Sequence, residues 1–586
     1  MYILGISCFY HDSSATLLKD GVVVAAAQEE RFTRKKHDTS FPLHAIQWCL
    51  ASQGITIADI SAVGFYEKPM LKFERLLSQH LEMFPKSGKT FVSSLPAWFH
   101  EKLRVPKIIK KKLGYTGDVL FIEHHLAHAA SSFLVSPFDS AAIVTVDGVG
   151  EWTTTTYGYG EGEQIELLKD IRFPHSLGLL YSTITAYLGF SVNNSEYKVM
   201  GLSPYGNMNR DTNEHYKKLR QVIDIKEDGS YRLDLSYFLY HYADRMPAQK
   251  LCDLLGGDIR SADAPLEDRH KDIAAAVQLI LEDVMTKILT HAHKETGAEN
   301  VVLAGGVALN SVYNGKILRQ TPFKRIWIQP DPGDGGTSMG AASYVYHTIF
   351  GHKRNFVLRD AYTGPRYSIE EIEMYLKSAN IRYTTLKDDT ELTETVADLL
   401  WENQVVGWFQ GRMEWGPRAL GARSILSNPC NPKMQEILNL KVKHREKFRP
   451  FAPAVCADDA LTYFDCDTPV PEATDFMLMV YPIRPEWREK IPAVTHVDGS
   501  GRLQTVRRSQ NPIYYDLIKA FGRRSGIPIL VNTSFNIRGE PIVMTPQDAY
   551  RCMMGTGIDV LVLDRFLVRR SDNSKDLWDS EQYATD

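Results

Sequence analysis

The sequence predicts an α/β protein in two successive parts, the first built by repeating one fold unit. Three observations carry that expectation. Two runs, "GISCFYHDSSA" and "VTVDGVGEW", each set an aspartate, Asp12 or Asp147, in a small-residue turn between β-rich stretches. Further on, helical and strand patterns alternate with glycine-rich turns after the strands, as in "NVVLAGGVALN" and "RIWIQPDPGDGGTSMGAA", the mark of α/β architecture. Residues 351–368 then break the periodicity before a fresh α/β pattern begins. The expected division is a domain over 1–355, with lobes of about 1–140 and 141–355, a linker over 356–367 and a second domain over 368–586.

Taken in order, "YILGIS", "ATLLKDG" and "VVVAAAQEERF" are bounded by Gly, Asp or Ser and predict a three-stranded meander. "FPLHAIQWCLASQG" has apolar spacing near 3.6 and a terminal glycine, a helix with its C-cap. "ISAVGFYE" predicts a buried strand, and residues 70–113 predict helix with a basic, solvated end. "VLFIEHHLAHAASSFL" predicts a strand running into an Ala-rich helix, and "AAIVTVDGVGEW" with "TTTTYGYGEG" a second meander. The long helix "DIAAAVQLILEDVMTKILTHAHKETG" leads into the strand "NVVLAGG", a helix from about Asn310 and the strand "RIWIQP". In the second part "TETVADLLWENQ" predicts a helix, "VVGWFQG" and "IPILVNTSF" strands, and the tail from 571 a loose end.

Composition narrows the class. The 586 residues are 44% hydrophobic and 24% charged, with a formal net charge of −4. These are values of an ordinary globular enzyme and not of a nucleic-acid or membrane-surface binder. Seven scattered cysteines without a CxxC pair fit a reducing cytoplasm. The N-terminus lacks a basic n-region and meets Asp12 early, so no signal peptide is expected. No apolar run reaches the roughly 18 residues of a membrane span.

The chemistry-bearing stretches follow the turns. His11 and Asp12 stand at the tip of a turn whose backbone N–H groups suit phosphate oxygens, as base and as cation or water anchor. "LAGGVALNSVYNG", with Gly306 and Asn310, offers a glycine turn before a helix, a nucleotide cradle. His124 and His128 are four apart on one helix face, as a shared metal requires. Joined by Asp147 and Asp334, each at a glycine turn, they make a two-His, two-carboxylate set suited to Fe(II), Mn or Zn. HExxH is absent and so is GxxxxGK[ST], which excludes a zincin and a P-loop. Two strands that each end in an Asp turn of small residues, followed by two glycine turns, suit a duplicated ribonuclease-H-like ATPase core. In the second part Arg412, Arg418, Arg423, Lys441, Lys443, His444, Arg445, Lys447, Arg449, Arg502 and Arg538 form the densest cationic set, accompanied by Asn532, Thr533, Ser534 and Asn536. Glycine-flanked guanidinium groups of this kind suit a polyphosphate or acyl phosphate.

Together these stretches resemble, over nearly the whole chain, the O-carbamoyltransferases of antibiotic and nodulation-factor biosynthesis, the nodulation-protein-U and cephamycin carbamoyltransferase family. The likeness is carried in order by "GISCFYHDSSA", "QEERFTRKKHD", "EHHLAHAASSF", "VDGVGEW", "EYKVMGLSPYG", "LAGGVALN", "PDPGDGGTSMGAA", "GRMEWGPRALGARSIL", "KHREKFRPFAPAV" and "VNTSFNIRGEPI". The resemblance implies an N-terminal actin-like ATPase-fold domain similar to the tRNA threonylcarbamoyl transferase subunit. Its metal would be bound by His124, His128, Asp147 and Asp334, with Fe2+ ahead of Mn2+ or Zn2+, and Gly306 and Asn310 would contact an adenylate. It implies a YrdC-like C-terminal domain in which Arg418, Lys443, Arg449, Arg502, Asn532 and Ser534 hold ATP, with Mg2+, and carbamoyl phosphate. Carbamoyl-adenylate formed there would carbamoylate a hydroxyl of a small-molecule acceptor, with His11 as base. His37, His175 and Lys198 fall in matching motifs without a more definite role than nearness to acceptor or intermediate. A homodimer is compatible with the resemblance, which leaves oligomeric state and acceptor open.

Three rival functions make different predictions. A sugar-kinase-like enzyme would yield ADP and leave the arginine-rich part unused. A threonylcarbamoyl-type tRNA-modifying transferase would need tRNA, against the balance of charge. An ATP-gated binding protein would consume no carbamoyl phosphate.

Overall fold

Strand β1 (Tyr2–Ser7) is apolar on both faces and buried along almost its whole length, as a strand covered on two sides must be. It anchors a sheet in the order β3-β2-β1-β4-β5, where β2 is Ser14–Lys19, β3 Val22–Gln28, β4 Ile60–Phe65 and β5 Val119–Phe121. β2 runs antiparallel to β1, whereas β4 and then β5 continue the sheet in parallel. The computed structural model in which this is seen describes residues 1–446 and 448–573, and of Lys441 the backbone alone. Lys447, the Lys441 side chain and the tail beyond 573 lie outside the described residues.

A second five-stranded sheet repeats the plan. Its strands β6 (Ser140–Val146), β7 (Thr153–Glu161) and β8 (Gln164–Arg172) form an antiparallel meander. Beyond a small hairpin of β9 (Ile223–Ile225) and β10 (Tyr231–Leu233), β11 (Asn300–Ala304) pairs in parallel with β6, and β12 (Arg325–Ile328) with β11. Each sheet is thus a three-strand meander extended in parallel from its first strand, the duplication that the paired Asp turns foreshadow.

Helix α1 (His124–Phe133) leaves β5, and α3 (Thr337–Ser343) follows β12. Between them in sequence the 29-residue α2 (Asp268–Thr296) ends at Gly297 in a left-handed cap. α3 packs on β1, β2, β4 and α1, and glycine permits it. A Cβ on Gly5 of β1 would stand 1.8 Å from the Ser338 carbonyl oxygen, and one on Gly340 1.8 Å from that of Ala127. The expected helix from Asn310 is broken into two single turns, Ser311–Asn314 and Ile317–Gln320.

The chain divides into two compact units. The first comprises Met1–Ala25 and Thr39–Val357, the second Ala26–Asp38 with the chain from Leu358 onward. The break after Val357 falls within the expected linker of 356–367, and the departure from the expected division is an N-terminal segment built into the second unit. There Phe32 packs on Met413, Ala419, Ile542 and Met544. Arg31 donates to the Gly416 carbonyl (2.9 Å), and Arg34 to those of Pro541 and Ile542 (2.8 and 2.7 Å). The second unit has a nine-stranded mixed sheet, β13-β21-β20-β14-β15-β19-β16-β18-β17. In chain order these are β13 (Thr384–Thr385), β14 (Val406–Phe409), β15 (Arg423–Ser427), β16 (Ala452–Cys456), β17 (Met479–Pro482), β18 (Ser500–Val506), β19 (Ile529–Ser534), β20 (Val560–Leu563) and β21 (Phe566–Arg569). Helices α4 (Asp389–Trp401) and α5 (Pro512–Ser525) pack together over a core that includes Trp408, Leu426, Tyr514, Phe521 and Val560. Among the described residues no helix is long and apolar enough to cross a membrane.

Candidate active site

In the first unit the structure brings four of the expected side chains to one point. His124 opens α1 and His128 follows one turn later, so both rings leave the same face. Asp147 stands just past β6, and Asp334 opens the turn before α3. The two Nε2 atoms are 3.1 Å apart; His124 Nε2 lies 3.3 Å from Asp147 Oδ2 and His128 Nε2 3.4 Å from Asp334 Oδ1. One ligand atom from each of the four falls within 4.8 Å of the others, and all four residues are buried. Asp334, 1% exposed, has no hydrogen-bond partner on either carboxylate oxygen. A buried carboxylate in that state is costly unless a cation compensates it. The N2O2 donor set therefore fits a divalent transition metal.

The neighbours fix these ligands. Burial pushes the Asp147 carboxyl up, but His124, His128 and the Gly306 N–H hold it well below the usual range. Ser14, from the "HDSSA" turn, donates to the Gly335 carbonyl (2.6 Å), and Ser7 to that of Asp334 (3.1 Å). His125 points elsewhere, 2.6 Å from Thr145 Oγ1. His11 Nδ1 is 2.9 Å from Asp12 Oδ2, and its Nε2 is 3.7 Å from Asp334 Oδ2. Burial lowers the His11 pKa, yet Asp334, Asp12 and Asp147 outweigh it and lift the value from 6.5 to about 10.

Two expected nucleotide contacts have other occupations. The Gly306 N–H is given to Asp147 Oδ1 at 2.8 Å. Asn310 accepts from the Tyr313 N–H and exchanges two hydrogen bonds with Gln278, so both ends of its amide are used inside the protein. Sequence reasoning also passed over Glu151, whose carboxylate takes the His124 and Lys68 N–H groups and so caps α1. The signal lay in "VDGVGEW", where an acidic residue close behind a metal-type Asp invites a capping role.

The second unit gathers a separate set. Lys443 is buried, and its Nζ donates to the Ser534 carbonyl, to Ser534 Oγ (3.3 Å) and to the carbonyl and side-chain oxygens of Asn536 (3.1 and 2.8 Å). Burial, with Arg445 and Arg449 nearby, sets its pKa well below the ordinary lysine value. Arg449 Nη1 is 3.6 Å from Glu446 Oε2. Asn532 and Ser534 alternate on β19, and Arg502 lies on β18. Arg418 is carried by a loop that Glu414 fastens: one carboxylate oxygen accepts the N–H groups of Leu420, Ala422 and Arg423 at 2.8, 2.7 and 3.0 Å. Two members of the expected phosphate cluster fall away. Arg423 is fully buried, stacks 3.5 Å over the Phe409 ring and donates to the carbonyls of Gln410, Ala422, Pro365 and Gly411. Arg412 likewise donates to the carbonyls of Gly364 and Thr363. Of the motif residues without a definite role, His37 lies in the second unit, whereas His175 and Lys198 lie in the first. His175 Nδ1 accepts the Leu233 N–H at 3.2 Å.

Buried imidazoles facing two buried carboxylates in one unit, and a buried lysine among arginines in the other, suit a group-transferring enzyme. Comparison identifies the group. Residues 2–343 match the carbamoyltransferase N-terminus family and residues 397–570 the carbamoyltransferase C-terminus family. The chain belongs to this family and is a carbamoyltransferase. It is 47% identical to uncharacterized protein sll1178 of Synechocystis sp., over 97% of both chains. It is 36% identical to nodulation protein NolNO of Sinorhizobium fredii, over 97% of this chain and 80% of that one. Nodulation protein U of Rhizobium tropici is 28% identical, over 95% and 94%. HypF of T. kodakarensis overlays at TM-score 0.33 with 16% identity, covering 60% of this chain and 48% of that chain. At that score the strand order, and not the overlay, defines the fold.

Proposed function

We propose that the enzyme is an ATP-dependent O-carbamoyltransferase working through carbamoyl-adenylate, with a ribonuclease-H-like, actin-like first unit and a YrdC-like second unit. One observation carries this: the two polar constellations are segregated, a compact N2O2 cluster in one unit and a lysine–arginine set in the other. Two sites of different chemistry suit a reaction whose activation and transfer steps need different surroundings.

In the second unit Arg418, Lys443, Arg449 and Arg502 bind the phosphate of carbamoyl phosphate and the triphosphate of ATP with Mg2+, with Asn532 and Ser534 beside them. Water releases carbamate and inorganic phosphate. A carbamate oxygen then attacks the α-phosphorus, a P–O bond forms, and pyrophosphate leaves. Cationic donors aimed at these oxygens stabilise the charge that develops on them. Carbamate is short-lived in water, so forming and consuming it in one enclosed site protects it.

In the first unit His124, His128, Asp147 and Asp334 hold a divalent transition metal, Fe2+ ahead of Mn2+ or Zn2+. When bound, it supplies Lewis acidity to a carbonyl or phosphoryl oxygen. His11, oriented by Asp12, takes the proton of the acceptor hydroxyl. The acceptor oxygen bonds to the carbamoyl carbon and AMP leaves with the anhydride oxygen. Two of the three carboxylates that raise the His11 pKa, Asp334 and Asp147, are those assigned to the cation, so its competence as a base depends on that charge being compensated. The acceptor is a small hydroxylated molecule, and the enzyme acts in the cytoplasm without nucleic acid or membrane.

Incubating the enzyme with ATP, Mg2+ and carbamoyl phosphate, without acceptor, and following phosphorus by NMR tests this. Pyrophosphate release that requires carbamoyl phosphate, with AMP or carbamoyl-adenylate appearing, is expected. ADP and phosphate as the only nucleotide products would overturn the adenylation step.

A further inference from the structure

Between β4 and β5 the first unit carries a helix, Pro69–Met83, that has no part in either sheet. Its Lys72, Arg75 and Gln79 are spaced by three and four residues and so share one face. Two of the three are spent within the protein. Lys72 Nζ is 2.5 Å from Glu67 Oε2, a buried pair, and 5.0 Å over the Tyr10 ring. Gln79 donates to the His241 carbonyl. Arg75 gives one hydrogen bond, from Nη1 to the Gly150 carbonyl at 2.8 Å. Its Nε is buried with no hydrogen-bond partner.

The carboxylates near Arg75 are committed elsewhere. Glu67 is held by Lys72, and Glu151 accepts the N–H groups of Lys68 and His124. Burial lowers the Arg75 pKa from 12.5 to about 10, against the opposing pull of Tyr10, Glu67 and Glu151. A desolvated guanidinium without a bound counter-charge is costly, and an anion relieves it.

The position of Arg75 says which ligand brings that anion. The Gly150 backbone it holds lies against a ligand of the metal cluster, since a Cβ there would stand 3.0 Å from the His124 ring. Tyr10 neighbours both Arg75 and His11, whose ring is 4.5 Å from its own. A molecule whose hydroxyl reaches His11 therefore has Arg75 beside it. The guanidinium lies 5.1 Å over the Phe173 ring, which supports its plane. Its Nε–H and the adjacent Nη2–H form a flat, two-pronged donor that fits paired oxygens of a carboxylate or phosphate. We infer that the acceptor is an anionic hydroxyl compound, its carboxylate or phosphate received by Arg75 and its hydroxyl facing His11. The inference rests on the proposed transfer step in the first unit and names the acceptor class for it.

Carbamoyl transfer by the full-length, metal-loaded enzyme, followed with radiolabelled carbamoyl phosphate and ATP, tests it on matched acceptors. These are hydroxy acids and sugar acids, sugar phosphates, and the neutral alcohol or sugar corresponding to each. At least one anionic compound should exceed its neutral counterpart about tenfold or more in kcat/KM. The carboxylate and phosphate arms show which group it carries. In Arg75→Gln the ratio should fall to about threefold or less, and Arg75→Lys, with the charge but not the fork, should be intermediate. The ratio within each variant is the readout, so a smaller fraction of active enzyme does not imitate the result. A wild type that prefers neutral acceptors overturns the inference. So does an unchanged ratio in a folded Arg75→Gln, as when Arg75 serves the phosphate of the adenylate instead. Carbamoyl-adenylate that forms but passes to none of the anionic compounds overturns it as well. If no carbamoyl-adenylate forms, the proposed function falls and the inference with it.

Discussion

Asp334 shows what one residue demands of its surroundings. Its carboxylate lies at the junction of α1 and α3 with both oxygens unpartnered and two imidazoles within 3.6 Å. Charge of that kind is tolerated only against charge, and a divalent cation shared with Asp147 meets the need better than protonated rings. His128→Ala should therefore weaken metal binding by at least about tenfold, measured as metal retained after dialysis, while His125→Ala should retain it. Equal metal content in wild type and His128→Ala would remove the cluster from consideration. The same scale shows where residue type misleads. Arg423, Arg412 and Asn310 read as ligand binders from composition and spacing, yet each spends its donors on the protein's own oxygens. Whether a guanidinium faces a ligand or a carbonyl depends on burial, which motif spacing does not encode.

At the scale of elements, the site is made by one helix crossing. α3 delivers Asp334 and α1 delivers the histidines, and Gly340 allows the two to touch. Gly340→Ala would push a methyl into the Ala127 carbonyl, so a loss of about 3 kcal/mol in stability is expected, together with weaker metal binding. Thermal unfolding with metal titration measures both; a variant as stable as wild type would mean that the crossing has slack. Strands, the long helix and the glycine turns were legible in the sequence, because alternation and 3.6 spacing report burial directly. The helix expected from Asn310 was not, since Gly315 and the short apolar run after it give only two separate turns. Nor was the fastening of the Arg418 loop by Glu414, whose partners are backbone N–H groups with no residue signature.

For the whole molecule, the paired Asp turns at 12 and 147 correctly announced two sheets of one plan, with Asp147 entering the cluster and Asp12 holding His11. The segment 26–38 went unrecognised as part of the second unit, because sequence continuity with β1 to β3 gives no hint of its partners more than 300 residues away. A fragment from Leu358 onward lacks Phe32, Arg31 and Arg34, so adding a peptide of residues 26–38 should raise its melting temperature by several degrees, by roughly 2–4 °C per kcal/mol gained. No change on addition would show that the contacts contribute nothing to that unit's stability.

The sequence by itself determined the α/β class, the repeated plan, the carbamoyltransferase family and the two-His, two-Asp set. The first two follow from local periodicity, the family from a resemblance carried by ordered motifs, and the last from histidines at helix spacing and aspartates at glycine turns. Only the tertiary structure decided that Gly306 and Asn310 support the first unit from within, that Arg423 gives its donors to the carbonyls of Gln410, Gly411, Ala422 and Pro365, and that Asn532 spends its amide hydrogens on Ala419 and Gln504. Those outcomes depend on which groups from distant segments meet first in a buried space, where each hydrogen-bond donor and acceptor has one partner to win and none to spare.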